Sequence, residues 1–396
     1  EVERSLRVLD GAVVILCGVA GVEPQSETVW RQADRYKVPR LVYINKMDRV
    51  GADPEKAVEQ MRTSIGANPL VIQIPLGREE KFRGVIDIVE MKEIDWGDDL
   101  LETKFEVKSI SDEYKDEAQE KRMGMIEQLS DMDDLLMEKY LDGSEISPEE
   151  LKQVIRKATN SLQLVPVIFG ASFKNKGIKP LLDAVIDYLP SPMDIPPIQG
   201  HHPRTDNVET RKASDDEPFS ALVFKISNDP YIGSLSFIRV YSGKIKVGSS
   251  VYNATKREEE RIARILEMHS NKRKDIKEVY TGDIVALGAM KNFSTGDSLC
   301  LRNHPLILEQ IRFPEPVISA YIEPKSKKEH SKLAESLAKL KKEDPTFKIR
   351  QDPMTGQTLV YGMGELHLEV LMDRMEREFG VSANLGKPQV AYKETI

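Results

Sequence analysis

Cysteine is almost missing from this 396-residue sequence: Cys17 and Cys300 are the only two, both in apolar or strand-like stretches. Two such thiols do not make a disulfide framework and point to a reducing compartment. Long apolar runs are missing as well. The longest, Ala12 to Cys17, falls far short of the roughly 20 residues that cross a bilayer as a helix, so no membrane partner is expected. The sequence opens on Glu1 with no methionine and no signal-like segment, which suggests an internal stretch of a longer protein. What is present is ordinary for globular chains, with 40% hydrophobic and 31% charged residues. The length calls for more than one core.

The net charge of −8 hides one acidic block, since residues 95–150 hold 19 Asp and Glu against 6 Lys and Arg. Outside it the balance is +5. A nucleic-acid partner is therefore permitted for the rest of the chain and disfavoured for the block, whose simplest reading is a solvated helical face.

The most informative stretch is Leu41-Val42-Tyr43-Ile44 followed by Asn45-Lys46-Met47-Asp48. Four apolar residues bounded by Pro39 and a polar tetrapeptide read as a buried parallel strand. Ligands of such sheets bind beyond the carboxyl ends of the strands, where the tetrapeptide sits. An Asp carboxylate only accepts, so Asp48 matches the ring N–H and exocyclic amine of guanine, whereas adenine offers the wrong pattern. Asn45, with a donor and an acceptor, can tie this loop to a neighbour, and the Lys46 stem can lie along a purine face. Met47 is a spacer. Three fixed positions arise by chance in roughly one such sequence in twenty, so context carries the signal. The alternative is a polar turn with Asp48 as a helix N-cap.

Around that stretch the pattern is α/β. Residues 11–17 read as a strand and 24–36 as a helix with Val29, Trp30, Ala33 and Tyr36 on one face. Residues 53–65 read as a helix with Asp53 as cap before Pro54. Residues 70–74 and 84–89 read as strands, and the acidic block as helices, including one capped by Ser147. Val165–Phe169 resumes a buried strand, ends in Gly170-Ala171-Ser172-Phe173-Lys174-Asn175-Lys176-Gly177, and leads to a helix with Leu181, Leu182, Val185 and Leu189 on its apolar face. Residues 193–218, rich in Pro, His and charge, read as a linker. Short alternating strands between 219 and 310, with turn signals such as Tyr241-Ser242-Gly243 and Thr281-Gly282-Asp283, have the spacing of a small antiparallel barrel of six to eight strands. From 311 to 396 the order β-α-β-β-α-β is ferredoxin-like.

Several segments together resemble one family, the translational GTPases, and within them the bacterial-type elongation factor G group. They are residues 1–11, Gly21-Val22-Glu23-Pro24-Gln25, Thr28-Val29-Trp30-Arg31-Gln32-Ala33, Asn45-Lys46-Met47-Asp48-Arg49, Asp187-Tyr188-Leu189-Pro190-Ser191-Pro192, Tyr241-Ser242-Gly243 and Gly362-Met363-Gly364-Glu365-Leu366-His367-Leu368. The resemblance implies a partial P-loop GTPase parallel sheet over residues 1–192, with a factor-specific insertion at about 70–160. A translation-factor β-barrel over 219–310 and a ferredoxin-like α+β domain over 311–396 would follow. It implies GTP or GDP as ligand, with guanine held by Asn45, Lys46, Met47, Asp48, Ala171, Ser172 and Phe173. It also implies Mg²⁺ in the intact protein, a ribosomal partner that includes rRNA and the large-subunit stalk protein, and a cytoplasmic location, with the mitochondrial matrix as the alternative.

The same pattern shows what these residues lack. No G-x-x-x-x-G-K-[ST] occurs, and the switch threonine and the Asp-x-x-Gly-His element are absent too. Phosphoryl transfer needs a phosphate cradle, a metal and an oriented water, so no catalytic residue is assigned, and this stretch alone is expected to be inactive. Where the family reads Gly-Ser-Ala, this chain reads Gly170-Ala171-Ser172. The Ser172 N–H can still donate to a guanine carbonyl, while a plain strand-to-helix turn is the alternative. His367, at a helix start without a His or Cys neighbour, reads as packing or interdomain contact rather than a metal or acid–base residue. Two functional classes stay open. One is a GTPase driving tRNA and mRNA translocation, with ribosome-recycling or ribosomal-protection relatives as variants. The other is a non-catalytic ribosome-binding module.

Overall fold

Two compact units, Glu1–Ile195 and Pro196–Ile396, make up the computed structural model, which describes residues 2–97, 105–229, 232–270, 272–308, 314–326 and 329–389. In the first unit an all-parallel sheet runs in the order Ala12–Cys17, Arg40–Asn45, Val165–Phe169, Pro69–Val71. The two central strands are buried along nearly their whole length, which is why they read as unbroken apolar runs and not as alternation. Helices Pro24–Arg35, Pro54–Ile65 and Ile178–Tyr188 make up the α layers of this unit. Trp30 and Ala33 point inward as expected, but Leu182 is 58% exposed. The inward face of Ile178–Tyr188 is set by Leu181, Ala184, Val185 and Tyr188, an i, i+3, i+4, i+7 stripe that leaves Leu182 about 60° past its edge.

An insertion interrupts this sheet. It carries an antiparallel sheet ordered Gln73–Leu76, Gly84–Asp87, Lys92–Asp95, Glu106–Ser109, then helices Asp112–Ser130, Asp134–Leu141 and Pro148–Asn160. The acidic block thus holds strand as well as helix. Ser147 and Glu150 close a reciprocal capping box at the last helix, the arrangement that satisfies two otherwise orphan N–H groups. On Asp112–Ser130, Ala118, Met125, Ile126 and Leu129 face the core while Glu113, Asp116, Glu117 and Glu120 are exposed. The block's charge therefore lies on a solvated face.

Residues 193–218, most of which open the second unit, are not a bare linker. Ile198–His201 and Val208–Arg211 pair as a hairpin, and Ile307–Leu308 adds a third strand. Ladder hydrogen bonds to a strand about a hundred residues downstream give this Pro- and charge-rich stretch a place in a sheet that its own side-chain pattern does not announce. Next comes an eight-stranded antiparallel sheet whose central members are Ser220–Asp229 and Gly233–Ser242. Together with the pair Ile245–Lys246 and Glu278–Val279 it surrounds one core containing Phe219, Val223, Ile238, Val251, Leu287 and Leu299.

The last module is ordered Lys348–Gln351, Thr358–Gly362, Ile318–Pro324, Ala383–Gly386, all antiparallel, with helices His330–Glu343 and Glu365–Phe379. Leu333, Leu337, Leu340, Leu368, Leu371 and Met375 supply its core, and the β-α-β-β-α-β order is ferredoxin-like. Glu343, buried at a helix end, accepts from Asn228 N at 2.7 Å and Asn228 Nδ2 at 2.8 Å, and pairs with Arg374 at 2.6 Å. One carboxylate thereby joins the module to the barrel strand Ser220–Asp229. His367 has a structural part: Nδ1 accepts from Met363 N at 3.0 Å, and Nε2 lies 2.9 Å from Asp344 Oδ2.

Candidate functional site

Register places the site. Cys17 pairs with Asn45, and Ile44 with Phe169, so three parallel strands end level and release three loops at one edge of the sheet, the position where doubly wound sheets hold ligands. Gly18 opens the first loop; its N–H donates to Asn45 O at 2.8 Å, and its carbonyl accepts from Asp53 N at 2.9 Å. A Cβ there would lie 3.1 Å from Met47 Sδ and 3.2 Å from Asn45 O, so the close approach of the two loops favours glycine.

The second and third loops are joined through Asn45. Its Oδ1 accepts from Ser172 N at 2.9 Å and from Lys46 N at 2.8 Å, while its Nδ2 donates to Ser172 Oγ at 2.9 Å. The displaced hydroxyl of the Gly170-Ala171-Ser172 sequence thus steadies the loop. The same contact revises the expected role of the Ser172 N–H: Asn45 already takes it, so in this geometry it is not the donor facing a ligand. Phe173 N, the next amide along, has no partner among the described residues, and the Phe173 side chain is 95% exposed.

Asp48 is not a helix cap. Asp53 fills that role, accepting from Lys56 N at 2.9 Å ahead of Pro54–Ile65. The Asp48 carboxylate, 11% exposed, instead pairs with Lys174 Nζ at 3.1 Å, so the first and third positions of the tetrapeptide's polar set both reach the opposite loop. Lys46 holds φ at 64°, a left-handed conformation that turns the chain so that Met47 is fully buried and Met47 N donates to Gly170 O at 3.1 Å. Met47 is therefore the loop's anchor in the core and not a bare spacer. Ala171 is buried and closes the third loop through paired bonds with Lys176, Ala171 N to Lys176 O at 2.9 Å and the reverse at 3.2 Å.

Sequence reading missed four members of this arrangement. Lys174 neutralises Asp48. Tyr43, 1% exposed, donates its hydroxyl to Lys176 O at 2.9 Å. Burial, and after it the Asp48 charge, push the Tyr43 phenol above its ordinary pKa, so it remains a donor at physiological pH. Gly170 is required because a Cβ would lie 2.1 Å from that hydroxyl. Lys176 itself is buried, its ammonium donating to Phe82 O at 3.2 Å and Gly97 O at 3.1 Å. A lysine just before a glycine gives no sequence signal of burial, since lysines are ordinarily exposed. Among the described residues no group of three or more His, Cys, Asp and Glu is arranged to hold a metal ion. No helix among them is long and apolar enough to cross a membrane.

What the arrangement offers is two cross-linked loops, one carrying a carboxylate at 11% exposure and the other the backbone N–H of Phe173. Comparison with known proteins supplies the frame around it. The model for the elongation factor Tu GTP binding domain matches residues 1–191, that for elongation factor G domain 2 matches 218–302, and that for elongation factor G domain III matches 313–387. A crystal structure of a protein from Thermus thermophilus is similar at a TM-score of 0.82 and 27% identity, over 98% of this chain and 55% of that one. The chain thus spans about half the length of that relative. Three family models in consecutive order, together with the parallel sheet, antiparallel barrel and ferredoxin-like module, place this chain among the translational GTPases of the elongation factor G type.

Proposed function

We propose that this chain carries the guanine-recognition half of a ribosome-dependent GTPase that drives translocation of tRNA and mRNA. The observation that carries the reading is the pairing of loops: Asn45 binds Ser172 twice, and Asp48 pairs with Lys174 of the same opposite loop. Asp48 then accepts from the ring N–H and exocyclic amine of guanine, and the Phe173 N–H donates to the base carbonyl. The Lys46 and Lys174 stems flank the ring. Ser172 steadies the loop through Asn45, and Ala171 and Met47 hold the two loops to the core. These roles concern the base alone. No chemical step is assigned to these residues.

The domain division proposed is 1–192 for the GTPase part with its insertion, 219–310 for the barrel and 311–396 for the ferredoxin-like module, with the 193–218 hairpin between the first two. The exposed acidic helix Asp112–Ser130 suits a basic partner, in this reading the large-subunit stalk protein, and GTP, the ribosome and a cytoplasmic location follow from the same assignment. The test uses the full-length protein: GTP, and not ATP, should displace a fluorescent GDP, and ribosomes should stimulate phosphate release. Equal displacement by ATP would overturn the base assignment. Guanine-specific binding without ribosome-stimulated hydrolysis would favour a binding module.

A further inference from the structure

One short turn of the insertion touches both base-recognition loops. The turn around Glu79–Lys81 makes three links out of the insertion. Glu79 Oε1 accepts from Gly51 N at 2.7 Å, just after the Asn45–Asp48 loop. Arg78 pairs with Glu55 at 2.9 Å, on the helix that follows the same loop. Phe82 O, with Gly97 O, receives the buried Lys176 ammonium from the opposite loop. The turn is also stiff. Gly77 has φ 78° and a Cβ there would lie 2.1 Å from Lys81 O, while Glu79 itself is held at φ 54°. Just beyond it, Arg83 O accepts from Trp96 N at 2.9 Å, which ties the turn to the strand pair Gly84–Asp87 and Lys92–Asp95.

We propose that Glu79 and Lys176 are positioning residues for base recognition, through which the inserted sheet sets the spacing of the two guanine loops and hence the dwell time of the nucleotide. The inference rests on the base-binding reading above. Its physical basis is that a stiff element bonded to both loops allows the loops to separate only if one of those bonds breaks, so an event that displaces the insertion changes the fit of the base. Neither residue need touch the ligand. Gly51 N–H would lose a protein acceptor in Glu79→Ala and keep one, an amide oxygen, in Glu79→Gln. Lys176→Met removes the two bonds to the insertion at similar side-chain length, and Lys176→Arg restores donors.

The experiment measures dissociation of fluorescent GDP from the full-length protein, together with the affinity ratio of GDP to IDP, whose base lacks the exocyclic amine that Asp48 would accept from. Glu79→Ala and Lys176→Met should each speed GDP release by about three- to tenfold and lower the GDP/IDP ratio, as expected of off-site coupling of this kind. Glu79→Gln should stay near wild type. A role in fold stability alone would lower the melting temperature and leave the ratio unchanged. An unchanged ratio in Glu79→Ala, which alters a part-exposed turn and does not open the core, overturns the inference even if Lys176→Met fails to fold. A wild-type protein that does not prefer GDP to IDP would overturn the base-binding reading, and this inference with it.

Discussion

Asn45→Ala is the substitution whose effect can be worked from the geometry bond by bond. The side chain accepts from Ser172 N and Lys46 N and donates to Ser172 Oγ, at 2.9, 2.8 and 2.9 Å. All three bonds lie at partly open positions, where water replaces a lost partner, so each is worth the lower part of the usual net range, about 0.5–1 kcal/mol. The loss of all three is then about 1.5–3 kcal/mol, or roughly ten- to a hundredfold in the affinity of the full-length protein for GDP. Ser172→Ala removes only the hydroxyl bond and keeps the N–H bond, so it should weaken binding by roughly two- to fivefold. Titration calorimetry with GDP on both variants gives the graded series. If Asn45→Ala binds within about twofold of wild type, or if both variants weaken binding equally, the inter-loop bonds do not organise the site.

Three further outcomes follow from other parts of the molecule. Reversing Glu113, Asp116, Glu117 and Glu120, all exposed on one helix, should slow stopped-flow association with a basic ribosomal partner and flatten its salt dependence; unchanged rates at low salt would remove charge steering. Glu343→Ala should destabilise by about 2–4 kcal/mol in chemical denaturation, because a buried carboxylate that serves Asn228 and Arg374 is lost, whereas Arg374 keeps Glu378 at 2.8 Å; a change below about 0.5 kcal/mol would contradict the role given to that contact. Burial pushes the Asp344 carboxyl up, but bonds from the Thr346 side chain and backbone and from His367 outweigh it and hold the pKa below the ordinary carboxylate value. Its contribution is therefore present above the unfolded value near about 4 and lost as pH falls through the folded one, so Asp344→Asn should flatten the acid limb of a stability–pH curve.

Legibility in the sequence tracked how local each interaction is. The strand before Asn45 and the polar tetrapeptide after it are adjacent in the chain, and their apolar run and donor–acceptor pattern announce both. The Asp53 and Ser147 caps are local in the same sense. Asp48 and Asp53 were harder to separate, because either suits a cap, and only the Lys56 N–H settles which one serves. Contacts between distant segments left no such mark. Lys174 and Asp48 are 126 positions apart, Lys176 and Phe82 94, and nothing in either neighbourhood predicts that a lysine will be buried against backbone carbonyls. The hairpin of residues 198–211 was hidden for a related reason: its strands are only four residues each, too short for alternation to show, and the third strand that completes its sheet comes from Ile307–Leu308. Leu182 shows the converse, an apolar residue whose type suggests burial while helix phase turns it outward.

The central claim is that Asp48 reads guanine, and base preference in Asp48→Asn tests it most directly. Guanine presents two donors to a carboxylate, whereas xanthine replaces the exocyclic amine with a carbonyl, which the Asn amide can serve while its oxygen still accepts from the ring N–H. Each mismatched pairing costs on the order of 1–3 kcal/mol, or roughly ten- to a hundredfold. In competition binding of GTP against XTP, full-length wild type should prefer GTP and Asp48→Asn should prefer XTP. Asp53→Ala, at the true cap, should cost about 1 kcal/mol of stability and leave GTP preferred. An Asp48→Asn protein that is folded and still prefers GTP as wild type does would contradict the account.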